Sequence, residues 1–397
     1  MEEKLFNKGF IAITSINFIV YLVYYLMMVI IAVIAHEQLH ASFGQAGVAS
    51  GIYIIGTLVA RLIVGKELEL VGRRQIARWG AIFYLVTTIA YLVVPNILVL
   101  DTVRLLNGFA YGMTSTALNA IVTDFIPDNR RGEGINYYGL STSLAAAIGP
   151  FVGLILLNAT SFHFIVLLSV ALIALSMVAL FMIKITNVTL TDEHRQALKS
   201  WNISSFIEYK VGLIAFIGFL MGLAYSSVLA FLASYAESLN LVAVSSFFFV
   251  VYAGIVTITR PMSGRIFDRF GENMVMYPSY LFLTAGLIIL GLTHQGMTLL
   301  LSGAFIGLGY GTFMSNGQAV TLKLVSARRI GIALSTYFIG LDLGLGVGPY
   351  AFGALHAYVP FRDLYLIAAI IPVISAILYG LFYRPAKQHL TADGLVN

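Results

Sequence analysis

Apolar residues in this chain come in long unbroken runs rather than in alternating or one-sided patterns. Twelve runs are read, at about 10–35, 45–65, 76–95, 98–120, 133–158, 162–183, 211–236, 243–263, 274–293, 297–320, 331–356 and 363–382. Each is near the roughly 20 residues that a helix needs to cross a hydrocarbon layer. The first is too long for a signal-peptide core and no small-residue cleavage pattern follows it, so it reads as a retained helix. The connections are short except "ITNVTLTDEHRQALKSWNISSFIEYK", residues 185–210, which divides the runs six and six. The expected organisation is an N-terminal six-helix bundle over 1–184, a linker over 185–210 and a C-terminal six-helix bundle over 211–397.

Composition agrees with that pattern. Hydrophobic residues make up 59% of the 397 and charged ones 10%, where soluble domains carry about 25% charged residues. A mean hydropathy of +0.91 over the whole length cannot be one buried core inside a watery surface. The chain has no cysteine, which excludes disulfides and thiolate metal sites. A pI of about 9.2 raises nucleic acid as a partner, but the placement of the charge argues against it. All of the 23 Lys and Arg except Arg104 and Arg362 fall at the termini or beside alternate connections. Positive charge stays in the cytoplasm, so both termini are expected there. His36, His40, His163, His294 and His356 fall on the opposite side and read as hydrated loop residues.

The two sets of six runs repeat one another. "RLIVGKELELVGRR" starts at Arg61 and "RPMSGRIFDRFGEN" at Arg260. Arg61, Gly65, Glu69 and Gly72 have counterparts 199 residues later at Arg260, Gly264, Asp268 and Gly271. The same offset carries Gly108 and Gly112 onto Gly307 and Gly311, and Arg130, Gly132, Gly149 and Pro150 onto Arg329, Gly331, Gly348 and Pro349. Two parallel repeats about an axis along the membrane normal are a transporter architecture, with the substrate site between them near the midplane.

These residues resemble the major facilitator superfamily over essentially the whole chain, and most closely its bacterial twelve-helix drug:proton antiporters. The loop signature of that family, G-x-x-x-D-R-x-G-R-R/K, appears as "GKELELVGRR" with Gly65, Gly72 and Arg73, but Glu69 stands for Asp and Leu70 for Arg. The second copy, "GRIFDRFG", keeps both, at Asp268 and Arg269. The helix 4 signature R-x-x-x-G-x-x-x-G is intact at Arg104, Gly108 and Gly112. The antiporter signature of helix 5 matches "AAAIGPFVG" at Gly149, Pro150 and Gly153, with Ala145 where an upstream glycine is usual. The resemblance implies an all-α membrane protein of twelve transmembrane helices in two pseudo-symmetric six-helix bundles, in the bacterial inner membrane. It also implies export in exchange for protons.

The same residues have physical readings. Glycines four apart give flat helix faces that let backbones approach and slide. Pro150 and Pro349 cannot donate to the carbonyls of Ala146 and Leu345, so helices 5 and 11 are expected to bend there. Glu69 and Asp268 are expected against the N-terminal ends of helices 11 and 5, where an acid stabilises by about 0.3–1 kcal/mol and could latch the halves.

The run "GLDLGLGVGPYAFG", residues 340–353, carries one carboxylate, Asp342, near mid-membrane. An acid there costs about 2.5–3.5 kcal/mol on insertion scales, so it reads as a proton site or a counter-ion for a cationic substrate. Its repeat counterpart is Ser143, so only one half carries it. Arg104 is the other charge inside a helix, with Asp101 one turn away as its expected partner. Asp124 reads as a loop contact. A substrate wall is expected from Asn17, Tyr21, Tyr24, Tyr25 and Met28 of helix 1, Tyr137 and Tyr138 of helix 5, and Tyr225, Tyr252, Tyr310, Asn316 and Tyr337 in the second half. Aromatic walls with adaptable Met suit amphipathic or cationic ligands.

An enzyme would need facing catalytic groups inside helices, and none are seen; no Walker loop is present for ATP. A single-chain channel has no need of two equivalent halves with hinge motifs. The sequence therefore points to a secondary transporter without cofactor or metal, working as a monomer in lipid on a small molecule and protons. A proton-coupled importer, or an exporter of a biosynthetic product such as a metallophore, remains the alternative.

Overall fold

The computed structural model describes residues 5–41, 43–187, 202–356 and 358–383. Among them, twelve long helices and short 3-10 turns account for the regular structure, with no strand. They are α1 (Lys8–Glu37), α2 (Phe43–Val71), α3 (Arg73–Ile89), α4 (Ile97–Ile121), α5 (Arg131–Ala159) and α6 (Phe162–Met182). The second set is α7 (Gly212–Ser238), α8 (Val242–Phe270), α9 (Asn273–Gly291), α10 (Gly296–Lys323), α11 (Ile330–His356) and α12 (Phe361–Phe382). Most of the linker expected at 185–210 lies outside the described residues.

Ten of the twelve are long and apolar enough to cross a membrane. The other two are α2 and α4, which carry the interior charges Arg61, Lys66, Glu67 and Glu69, and Asp101 and Arg104. Both pack against other helices on their charged faces, while α2 keeps an outward apolar stripe at Val48, Ile55, Val59 and Ile63. Their backbones meet directly: a Cβ on Gly108 would stand 2.1 Å from the Tyr53 carbonyl oxygen, and one on Gly56 2.1 Å from that of Leu105. Any side chain at either position would push the two helices apart.

The packing repeats across the two sets. In the first, α1 packs on α5 and α6, α2 on α4, and α3 on α4 and α6; in the second, α7 packs on α11 and α12, α8 on α10, and α9 on α10 and α12. The result is two pseudo-symmetric six-helix bundles, which meet mainly through α2 against α11 and α5 against α8. Gly65 faces Gly331 and Ser335, and Gly264 faces Gly132 and Asn136, so these two inter-bundle contacts are equivalent under the 199-residue offset.

Helix boundaries follow the apolar runs within a few residues, with one correction. Helices α2 and α8 continue to Val71 and Phe270 rather than ending at 65 and 263. Arg61 and Arg260 are therefore well inside the bundle, about 15 Å along the helix from those ends at 1.5 Å per residue. Each helix stops at a glycine with positive φ, Gly72 at 105° and Gly271 at 87°, a conformation that side chains resist. Pro150 and Pro349 sit inside unbroken helices. One asymmetry concerns α10: Gly307–Gly311 form a π turn where the equivalent Gly108–Gly112 of α4 is regular.

Candidate functional site

Asp342 lies 12 residues into α11, on the face turned to α2. There it meets Arg61, whose Nε donates to its Oδ2 at 2.6 Å. The guanidinium also lies over the Phe338 ring, 4.9 Å from its centroid. Arg61 is fully buried and the Asp342 side chain is 20% exposed, the exposed part opening on a cavity between the bundles. That cavity measures about 30 Å³ and is bordered by Tyr21, Tyr24 and Tyr25 of α1, Thr57 of α2, Tyr111 of α4, and Tyr310 and Met314 of α10. It holds about one water, so this arrangement of the bundles is too tight for a solute. A second space of about 10 Å³ shares Tyr21, Met314 and Phe338 with it and reaches Asn119, Tyr138, Thr142, Arg260 and Gln318.

Of the expected wall, Tyr21, Tyr24, Tyr25, Tyr138 and Tyr310 border these spaces. Tyr225 stands behind Tyr310, stacked on it at 4.1 Å and 14°. Asn17, Asn316 and Tyr337 do not line either space. Asn17 donates to Ser141 and Thr142 and accepts from the Tyr138 hydroxyl, tying α1 to α5. Tyr337 donates to the Met314 carbonyl. Asn316 exchanges hydrogen bonds with Asn136, which also accepts from Ser263 and Ser315. That amide and hydroxyl cluster joins α5 to α8 and α10 across the bundle interface.

Arg104 departs from expectation. Its Nε donates to the Ala49 carbonyl at 2.9 Å, its Nη2 reaches the Met28 sulfur at 3.4 Å, and its guanidinium covers the Tyr53 ring at 4.4 Å. The described ion pairs do not join it to Asp101, whose Oδ1 has no hydrogen-bond partner. The guanidinium turns inward to α1 and α2, and Asp101 is partly buried.

The two loop acids also differ from one another. Asp268 accepts from the backbone N–H groups of Gly132 and Glu133 at 2.8 Å each, at the N-terminus of α5 in the other bundle. Glu133 in turn binds Arg130 and reaches back to Arg265. Glu69 does not reach the start of α11. It pairs with Arg73 at 2.7 Å, and Arg73 pairs also with Asp124 at 2.7 Å, all within one bundle. One reason is visible: Arg73 sits one turn along and captures the longer Glu side chain. Burial pushes the Asp124 carboxyl above its ordinary range, against the pull of Arg73. At the start of α11 it is Glu208 that pairs with Arg329, while its backbone N–H donates to Thr336. Arg269 lies over the Phe270 ring at 5.3 Å. Gly149 and Gly153 are seated against Leu26 of α1, and Gly348 against Ser226 of α7.

The sequence reading missed Arg61, Thr57, Tyr111 and Phe338 as cavity residues. Arg61 is the first residue of a repeated motif, but it stands near the end of its apolar run.

The chain and its fold are similar to known proteins. The chain is 22% identical over 355 residues to an uncharacterized MFS-type transporter of Methanocaldococcus jannaschii, covering 86% of this chain and 90% of that one. It is 29% identical over 193 residues to the multidrug resistance protein MdtG of Citrobacter koseri, covering 46% of this chain and 47% of that one. Among solved structures it superposes on FucP in its outward conformation with a TM-score of 0.72 at 16% identity, covering 96% of this chain and all of that one. It superposes on the human organic anion transporter MFSD10 with a TM-score of 0.70 at 15% identity, covering 93% and 98%. The sequence profile of the Major Facilitator Superfamily matches residues 13–301 and 279–394, and the chain belongs to that superfamily of transporters.

Proposed function

We propose that this protein is a secondary transporter that exports a small amphipathic compound in exchange for protons, by alternating access of the two bundles. The observation that carries the reading is the Arg61–Asp342 pair, because it couples one titratable carboxylate to a contact between bundles. With Asp342 ionised, the charge-assisted bond holds α2 to α11. With Asp342 protonated, that bond loses its charge, Arg61 becomes free to move, and the bundles can part around the cavity. Asp342 is already engaged by Arg61, which favours a proton-carrying role over a direct counter-ion role. Export is supported by the helix 5 glycine and proline pattern at Gly149, Pro150 and Gly153, and by the half-length likeness to the multidrug resistance protein MdtG. The loop basicity supports a bacterial inner-membrane orientation with both termini in the cytoplasm.

The test uses everted membrane vesicles carrying an acid-inside proton gradient. A panel of amphipathic compounds is added and proton efflux from the vesicles is followed by a fluorescent pH probe. At least one compound is expected to release protons through the wild-type protein, and Asp342→Asn is expected to abolish that release. Unchanged release in Asp342→Asn would reject Asp342 as the coupling acid.

A further inference from the structure

Arg260 is the repeat counterpart of Arg61, yet its surroundings differ at the two positions that matter. Arg61 is neutralised by Asp342 and walled by Phe338. Under the 199-residue offset the residues facing Arg260 in those roles are Ser143 and Gly139. The acid is missing and the wall is missing.

The guanidinium of Arg260 shows the consequence. The residue is 1% exposed. Its Nε donates to the Gly311 carbonyl at 2.6 Å, at the π turn of α10. Its Nη1 and Nη2 have no hydrogen-bond partner, and no described ion pair includes it. A Cβ on Gly139 would fall 2.4 Å from Nη1, so the absent side chain is what gives the group its room. An arginine does not shed its proton, so this is a permanent buried positive charge with unused donors. Arg260 borders the smaller of the two spaces, beside Thr142, Ser315 and Gln318.

We propose that Arg260 binds the acid group of the transported compound, so that the substrate is an amphipathic organic anion. The ligand carboxylate supplies to Arg260 what Asp342 supplies to Arg61. Its apolar body lies against Tyr21, Met314 and Phe338, which border both spaces. A lipophilic cation has no comparable place: Arg260 repels it, and the Asp342 carboxylate is occupied. This inference rests on the transporter reading above and narrows its substrate class.

The experiment reads binding without transport. Full-length protein is purified in a non-ionic detergent. Equilibrium affinities are measured for benzoate, 2-naphthoate and octanoate, each against its own primary amide. In the wild type at least one acid is expected to bind more tightly than its amide by about tenfold or more, the size of a charge-assisted hydrogen bond. In Arg260→Gln the ratio is expected to fall to near one. Arg260→Lys, which keeps the charge and loses the fork, is expected to retain part of the preference. Equal affinities for every acid and its amide in the wild type overturn the proposal without recourse to any variant. So does an acid preference that survives in Arg260→Gln. Either result leaves the proton-release experiment on Asp342 standing, and failure of that experiment leaves the acid-to-amide ratio standing.

Discussion

Gln318 donates its side-chain amide to Asn119 at 3.3 Å, and the two residues are separated by the repeat offset of 199. Residues exchanged by a two-fold relation can touch one another only beside its axis. This pair therefore marks where the axis between the bundles passes, and both side chains border the space that also holds Arg260. Rocking of the bundles must change the distance between them. The chain has no cysteine, so Asn119→Cys with Gln318→Cys gives a clean pair for a short bis-methanethiosulfonate reagent, which forms a reducible disulfide at each cysteine. Bridging is expected to stop transport and reduction to restore it. A bridged protein that transports at the wild-type rate would show that the axis contact is not part of the moving interface.

Asp268 and Glu69 occupy equivalent positions and are expected to differ on mutation. Asp268 caps α5 of the opposite bundle through two backbone N–H groups. Asp268→Ala is expected to lower turnover and to cost about 1 kcal/mol, the usual value of a lost helix cap. Glu69→Ala acts inside one bundle, where it leaves Arg73 with Asp124 as its remaining described acidic partner. It is expected to lower the melting temperature more than Asp268→Ala while changing turnover less. The check is paired melting and transport measurements on both variants; the reverse ranking would place the inter-bundle latch at Glu69.

The helices and the repeat could be read from sequence because both are one-dimensional signals: a run length and an offset. The site could not, for reasons that individual residues show. Arg61 and Arg260 fall in the last turn or so of the apolar runs, so they read as helix-end residues, while helix hydrogen bonding continues to Val71 and Phe270. The Arg61–Asp342 bond joins positions 281 residues apart, and nothing local announces it. Asp101 and Arg104 have the spacing of a helical ion pair, but the guanidinium finds a carbonyl and a ring on neighbouring helices instead. The repeat itself also misled at Glu69. It predicted equivalence with Asp268, whereas one extra methylene and a neighbouring arginine sent the carboxylate elsewhere.

The same offset exposes a pair with its charges exchanged. Arg73 and Asp124 pair at 2.7 Å in one bundle, and their counterparts Glu272 and Lys323 pair at 3.0 Å in the other. Glu272 also accepts from the Tyr383 hydroxyl at 3.1 Å, so it ties together the start of α9, the end of α10 and the residue after α12. Burial raises its carboxyl pKa, but its own backbone N–H, Lys323 and Tyr383 more than offset this and hold it below the ordinary 4.5. A carboxyl depressed in the folded state stabilises fully above its ordinary value, and that contribution is lost as pH falls through the folded value. Glu272→Gln is therefore expected to melt below the wild type near neutral pH, with the gap closing as pH drops beneath 4.5. Melting curves of both proteins across that range decide it; a gap independent of pH would mean that packing, not charge, is what Glu272 contributes.

Arg61 and Asp342 make the sharpest energetic prediction, because Arg61 is fully buried and the bond to Asp342 is its ion pair. Removing one partner of a buried ion pair costs about 3–5 kcal/mol, whereas replacing both with neutral groups of similar size is often close to neutral. Arg61→Gln alone leaves an unpaired carboxylate, and Asp342→Asn alone leaves an unpaired guanidinium. Each single variant is expected to lower the melting temperature clearly, and the double variant Arg61→Gln with Asp342→Asn to recover most of the loss. Recovery of stability should not bring back proton release, since the double variant has no titratable group at that place. Melting of all four proteins forms a double-mutant cycle that isolates the pair. If the two single losses simply add, the bond between α2 and α11 is not an energetic link between the bundles, and protonation of Asp342 has nothing there to release.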